Sequence, residues 1–219
     1  MDAARLRIKP VIRLLRKHYP HARTALEYAD PLQILVATIL AAQSTDKLVN
    51  TVTPALFRKY PAAAAFAKAD PAELETMVHS TGFFRNKTRS IIGAARRIVE
   101  AYGGRVPDTM DELVTLPGVA RKTANIVLSA GYGRAEGIAV DTHARRVSQR
   151  LGLTKWDDPV KIERDLMALV PRSDWLDFNF LLVEHGRALC QARKPKCPEC
   201  FLRRLCPSAV KFYPELGAS

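Results

Sequence analysis

Leu116-Pro117-Gly118-Val119-Ala120-Arg121-Lys122-Thr123-Ala124 is a short turn pinned between two helical stretches. A Pro-Gly turn running straight into a helix start leaves several backbone N–H groups without intrahelical acceptors, at the positive end of the helix dipole. That arrangement holds a phosphate oxygen without reading any base. A Pro-Gly pair alone is an ordinary helix–helix turn. The whole run L-P-G-V-x-R-K-T-A, with Gly118, Ala120 and Arg121 about the turn, is more specific and reads as a hairpin for a nucleic-acid backbone.

Outward from the hairpin the pattern stays helical. Pro31 opens a stretch with Leu32, Leu35, Val36, Ile39 and Leu40 at 3–4 spacing, and Asp70-Pro71 starts another with Leu74, Met77 and Val78. Asn86 to Glu100 sets Ile91, Ile92, Ala95, Ile98 and Val99 on one face. A helix is predicted to begin at Pro107-Asp108 and run through Leu113 and Leu116, with the next from Lys122 to Ala130. Asp158-Pro159 opens a helix with Ile162, Leu166, Leu169 and Val170, and Ser173 or Asp174 is placed to cap the one after it. At the amino end Leu6, Val11, Ile12, Leu14 and Leu15 form a stripe around Pro10, the mark of a folded helix rather than a transit peptide. Asp before Pro at first-turn positions is helix-start chemistry, and period-two alternation is scarce, so an all-α fold follows.

Composition sets the partner. The chain has 219 residues with 34 Lys+Arg against 22 Asp+Glu, a net charge of +12. A pI near 9.8 calls for a polyanion, nucleic acid by default, although an anionic membrane surface also fits. No apolar run approaches the roughly 18 residues of a membrane span; the longest, Ile34 to Ala42, is broken by Thr38. No secretory pattern is present, which points to a reducing compartment, expected to be the bacterial cytoplasm beside the nucleoid.

Two residues suggest chemistry. Lys122 opens the second helix of the hairpin; beside Arg121, at a positive helix end and partly desolvated, its amine is expected to be easier to deprotonate. On local sequence a nucleophile and a phosphate-binding lysine are equally good readings. Asp141 precedes a helical stretch through Ala144, Val147 and Leu151, where it is a good N-cap, without a full capping box because Ala144 is not Glu or Gln. A carboxylate there also suits the stabilisation of positive charge developing on a sugar. His143 reads as a structural histidine or a nucleic-acid contact.

All four cysteines, Cys190, Cys197, Cys200 and Cys206, fall in one short segment with spacing C-x6-C-x2-C-x5-C. In a reducing compartment they indicate metal before disulfides, and spacing alone leaves four-thiolate zinc and an iron–sulfur cluster equally open. Arg193, Lys194 and Lys196 lie between the first two and face a phosphate backbone if the loop is clamped. Gln43, after the apolar helix, is a candidate partner for an orphaned base. Of Phe83 and Phe84, one suits an apolar wedge between base steps and the other the core. Arg85, Lys87, Arg89, Arg96 and Arg97 follow without an acid before Glu100, a solvated basic face of which part should touch phosphate.

The hairpin resembles the helix–hairpin–helix of the endonuclease III family of DNA glycosylases. Leu40-Ala41-Ala42-Gln43-Ser44-Thr45-Asp46, Val140-Asp141-Thr142-His143 with Arg146-Val147, and the terminal cysteines match the same family in order, covering roughly residues 5 to 207. The resemblance implies two helical lobes with DNA in the cleft between them: a six-helix domain at 24–134, and a second domain joining 1–23 to 135–219. It implies that Lys122 is the Schiff-base nucleophile, Asp141 the catalytic aspartate, Phe83 the wedge, Phe84 a core residue, and the four cysteines ligands of a structural [4Fe–4S] cluster.

The expected activity is that of a monomeric base-excision glycosylase with AP lyase activity, removing oxidised pyrimidines such as thymine glycol from double-stranded DNA. An adenine-removing MutY-type or mismatch thymine glycosylase is the nearest rival, and Lys122 speaks against both. A non-catalytic DNA-binding iron–sulfur protein would need hairpin and cluster but not Lys122 with Asp141. Two departures stand out: Ala120 where the family usually has the second hairpin glycine, and Val114 where some relatives carry an acid. The first is expected to alter approach to the phosphate, the second turnover or lesion preference.

Overall fold

The computed structural model describes residues 2–217, and among them there is no β-strand. Helices follow in chain order: α1 (Asp2–His18), α2 (Pro31–Leu40), α3 (Asp46–Lys59), α4 (Ala63–Ala67), α5 (Pro71–Val78), α6 (Phe84–Tyr102), α7 (Met110–Leu113), α8 (Arg121–Ile126), α9 (Thr142–Arg150), α10 (Pro159–Leu169), α11 (Trp175–Ala188) and α12 (Ala209–Phe212). The chain forms two compact units, Thr24–Glu136 and a second built from Met1–Arg23 together with Gly137–Ser219. No helix among the described residues is long and apolar enough to cross a membrane.

Side-chain caps set the helix starts. Asp30, Thr45, Asp70, Asp141 and Asp158 accept the N–H groups of Gln33 (2.9 Å), Leu48 (3.2 Å), Glu73 (2.9 Å), Ala144 (2.7 Å) and Lys161 (2.9 Å). Each such cap stabilises its helix by about 1 kcal/mol. Pro31, Pro71 and Pro159 follow three of them, where a missing N–H costs nothing.

In the unit Thr24–Glu136, α2 is buried along Ile34 to Leu40 on every side, as a helix apolar all round must be. Leu56, Phe66, Leu74, Ile91, Ile98, Leu113 and Leu128 are buried in the same unit. In the other unit α9 packs on α11, and the core holds Leu15, Val147, Ile162, Leu166, Phe178, Leu181 and Leu182. Gly186 permits the α9–α11 approach, since a Cβ there would lie 2.8 Å from Nδ1 of His143.

Several expectations shift. The helix expected from Pro107-Asp108 starts at Met110: the Thr109 hydroxyl accepts from the Glu112 N–H (3.4 Å) and donates to its carboxylate (2.7 Å). It ends at Leu113, so Leu116 belongs to the turn entering the hairpin. α8 ends at Ile126, and Val127–Gly131 continues as a wider π-type turn, where a Cβ on Gly131 would lie 3.2 Å from both Pro31 Cα and Ile34 Cγ2. Asp174 stands before α11 but makes no cap bond; its carboxylate pairs with Arg16 at 2.5 Å, and Arg16 also holds Asp177 through two bonds. Val99 and Leu6 point to solvent rather than into the stripes assigned to them.

Candidate active site and cysteine centre

Leu116 and Val119 are buried anchors for the hairpin, while Pro117, Gly118 and Ala120 between and beside them are exposed. Gly118 takes φ +78°, and a Cβ there would meet Ser90 Cβ at 2.5 Å and its Oγ at 2.6 Å. One turn further along α6, a Cβ on Gly93 would lie 3.1 Å from Pro117 Cβ. Ser90 and Gly93 therefore form a small-residue seat for the turn, a role that α6 patterning did not reveal. Ala120 has φ −95° and ψ 170°, extended backbone open to any residue, so the family's second glycine is not required for conformation. Ala120 offers no side-chain cap to the first turn of α8, which begins with half-buried Arg121 and Lys122.

Asp141 caps α9 through its 2.7 Å bond from the Ala144 N–H, and its other carboxylate oxygen is not used by that bond. The approach to it is fixed by buried Asn179 on α11, which donates to the Ala139 carbonyl at 2.8 Å. Nothing in the sequence pattern singled out Asn179. His143, half-buried at the second position of α9, faces Arg146 (Nδ1 to Nη2, 3.0 Å). Lys122, Gln43, Phe83 and the hairpin belong to the Thr24–Glu136 unit; Asp141, His143 and the cysteine loop belong to the other.

Gln43 and Phe83 share one property. They are the only non-glycine residues among the described ones with positive φ, at 53° and 48°. Left-handed backbone costs a side-chain-bearing residue about 1–2 kcal/mol, and such outliers gather where a site needs a fixed direction. Gln43 is exposed, and Phe83 is 61% exposed, a large apolar ring facing solvent. Phe84 begins α6 half-buried, its ring 4.4 Å from that of His79. Lys87 departs from the solvated basic face expected of it: it is 4% exposed, and its ammonium donates to the Leu40 and Thr81 carbonyls at 2.7 Å each.

The four cysteines are free thiols lining one small cavity of about 30 Å³ with Arg150, Leu189, Pro195 and Phe212. Among the described residues no three His, Cys, Asp or Glu side chains are arranged about a single metal ion. Two arginines of α9 staple the loop. Arg150 reaches Cys190 Sγ (3.4 Å) and the Gln191 (2.7 Å) and Ala192 (2.8 Å) carbonyls, and Arg146 reaches the Cys190 carbonyl at 2.9 Å. Sequence reasoning missed both as loop supports. Burial pushes the Cys197 and Cys206 thiols up and Cys200 up to about 11. Thiolates in such a place need metal cations to hold them ionised, so the donor set fits a four-thiolate iron–sulfur centre. Arg193, Lys194 and Lys196 are exposed on the loop so held.

The family model described as HhH-GPD superfamily base excision DNA repair protein matches residues 36–172. The chain is 56% identical over 209 residues to endonuclease III of Synechocystis, 95% of each chain being covered. It belongs to the endonuclease III family. Endonuclease III of Bacillus subtilis is 45% identical, with 88% of each chain covered. A solved structure of a trapped endonuclease III–DNA covalent intermediate is 40% identical with TM-score 0.90, covering 94% of this chain and 97% of that one. This family membership makes the protein a base-excision DNA glycosylase/AP lyase, an enzyme of DNA repair.

Proposed function

We propose that the enzyme removes oxidised pyrimidines such as thymine glycol from double-stranded DNA, and acts on abasic sites, with Lys122 as nucleophile and Asp141 as the carboxylate that steadies the sugar. The observation that carries this reading is Lys122 at the opening of α8, directly after a hairpin whose tight Gly118 turn and uncapped helix start suit a phosphate. The solved relative trapped in a covalent complex with DNA supports a mechanism through an enzyme–DNA bond.

In that mechanism Gln43 and Phe83 enter the space left by the extruded nucleotide. As the glycosidic bond breaks, positive charge grows on the sugar and the Asp141 carboxylate offsets it. The Lys122 Nζ lone pair attacks C1′ and the base departs with the bonding electrons and a proton; the C1′–O4′ bond then breaks, O4′ taking up a proton to become a hydroxyl, and the ring-opened product is the imine. The imine acidifies the C2′ proton; its removal expels the 3′ phosphate and nicks the strand. Hydrolysis then returns the lysine. A hydroxyl at this position could not form the imine, and strand cutting would be lost.

Four thiolates from Cys190, Cys197, Cys200 and Cys206 would hold a [4Fe–4S] cluster, which supplies rigidity to the loop rather than a step in the reaction. Exposed Arg193, Lys194 and Lys196 would then meet phosphates, as would Arg121, while His143 sits at the start of α9 as a further DNA contact. The enzyme would work as a cytoplasmic monomer on nucleoid DNA.

Borohydride reduction during reaction with an abasic duplex tests the assignment. Wild type should be captured covalently on the DNA and Lys122→Ala should not. Equal capture of both, or an adduct mapped to another residue, would refute it.

A further inference from the structure

Lys87 is the residue whose placement least fits its surroundings. Its aliphatic stem lies in the core of the Thr24–Glu136 unit and its Nζ donates to two main-chain carbonyls, Leu40 O and Thr81 O, both at 2.7 Å. A buried ammonium is a costly space-filler, because a methionine of similar length would pack there without losing the hydration of a charge. What the ammonium supplies that methionine cannot is two directed, charge-assisted hydrogen bonds.

The two acceptors identify the purpose. Leu40 is the last residue of α2, whose C-terminal carbonyls lack intrahelical partners and carry the negative end of the dipole; Gln43 follows three residues later. Thr81 ends the turn before Gly82, and Phe83 comes next. The backbone N–H of Lys87 also binds the Phe83 carbonyl, at 3.1 Å. One residue thus grips the Gly82–Phe83 pair from both sides and fastens it to the end of the helix that launches Gln43. Those two launched residues are the ones in left-handed backbone. Beyond Gln43 the chain is secured again by the Thr45 cap of α3.

Resting on the glycosylase reading above, we propose that Lys87 is the positioning residue for duplex opening: its buried side chain locks the Gln43 and Phe83 turns to each other, so both residues enter the stack together. Lys87 touches no DNA in this role. Burial disfavours its charged form, in keeping with the dry position. The basic run that contains it therefore divides in two, with Lys87 directed inward while Arg85 and Arg89 stay exposed.

Two substrates of one sequence separate positioning from general damage. The first carries thymine glycol in a fully paired duplex; the second carries an abasic site in a single-nucleotide bulge, where no base must leave a pair. Under single-turnover conditions Lys87→Met should slow excision on the first at least tenfold and leave nicking of the second within about twofold. A 2-aminopurine opposite the lesion should brighten with wild type and stay quenched with Lys87→Met. Phe83→Ala should lower duplex excision too, and adding it to Lys87→Met should cost little more. If Lys87→Met does not fold, judged by its urea transition, Lys87→Gln carries the same comparison. Equal losses on both substrates, full activity on the duplex, or additive losses in the double variant would overturn the inference. Wild type inactive on both substrates would instead overturn the enzyme reading, and this inference with it.

Discussion

Replacing Gly118 with alanine tests the hairpin at its tightest point. The new methyl would meet Ser90 Cβ at 2.5 Å and Oγ at 2.6 Å, and the residue would be held at φ +78°. The left-handed conformation costs about 1–2 kcal/mol, and forcing a carbon into a filled seat about 1–3 kcal/mol more. A loss of about 2–5 kcal/mol is expected, which at an m-value of about 2 kcal/mol/M lowers the urea midpoint by about 1–2.5 M. Ser90→Gly removes both close atoms and leaves only Ser90 Cα at 3.6 Å, an ordinary contact. Alone it should destabilise α6 by about 0.5 kcal/mol through helix propensity. Combined with Gly118→Ala it should recover the steric part, so the double variant should be more stable than Gly118→Ala by about 0.5–2.5 kcal/mol. Urea unfolding of the four proteins reads the cycle directly. A double variant no more stable than Gly118→Ala would refute the claim that Ser90 is the seat of the turn.

Asp141→Asn should keep the α9 cap, asparagine being as good an N-cap as aspartate, and hold stability within about 1 kcal/mol while excision falls by about 10²-fold or more; undiminished excision would remove Asp141 from the chemistry. DNA affinity should fall steeply with salt, and exchanging Arg193, Lys194 and Lys196 for alanine should flatten the log–log slope by up to about 2.7, about 0.9 for each lost phosphate contact; an unchanged slope would detach the loop from DNA. The purified protein should show a broad visible absorbance that Cys200→Ser abolishes, and colourless protein with stoichiometric zinc would contradict the cluster. Because burial lowers the folded-state pKa of Lys87, the unfolded chain binds more protons on the alkaline side. Wild-type stability should therefore rise relative to Lys87→Met as pH climbs from the folded-state value towards about 10.4. A difference in urea midpoints that falls or stays flat over that window would show the ammonium is not desolvated.

Much of this was legible in the sequence because it is local. Asp-Pro starts, the 3–4 apolar spacing of α2 and the Pro-Gly turn each depend on residues within a few positions of one another. Asp141 as a cap was legible for the same reason. What escaped depends on partners far along the chain. Lys87 looked like one cation in a surface run, and only the burial of Leu40 O, 47 residues earlier, shows why it turns inward. Arg150 reads as an ordinary end-of-helix cation until its partners 40 to 42 residues later are known. Asp174 had the right type and place for a cap, but the Arg16 guanidinium, brought by the opposite end of the sequence, outbids the backbone for its carboxylate. The backbone of Ala120 was not legible either: residue type alone does not show that its extended conformation is open to any side chain.

The unit that joins Met1–Arg23 to Gly137–Ser219 has a consequence for synthesis. α1 leaves the ribosome well before α11, yet its apolar face, with Ile8, Val11, Ile12 and Leu15, has its packing partner in α11, which is translated more than 150 residues later. The intervening segment can collapse while α1 still waits. α1 is thus seated late, and a nascent chain interrupted before α11 emerges would present that greasy stripe to chaperones.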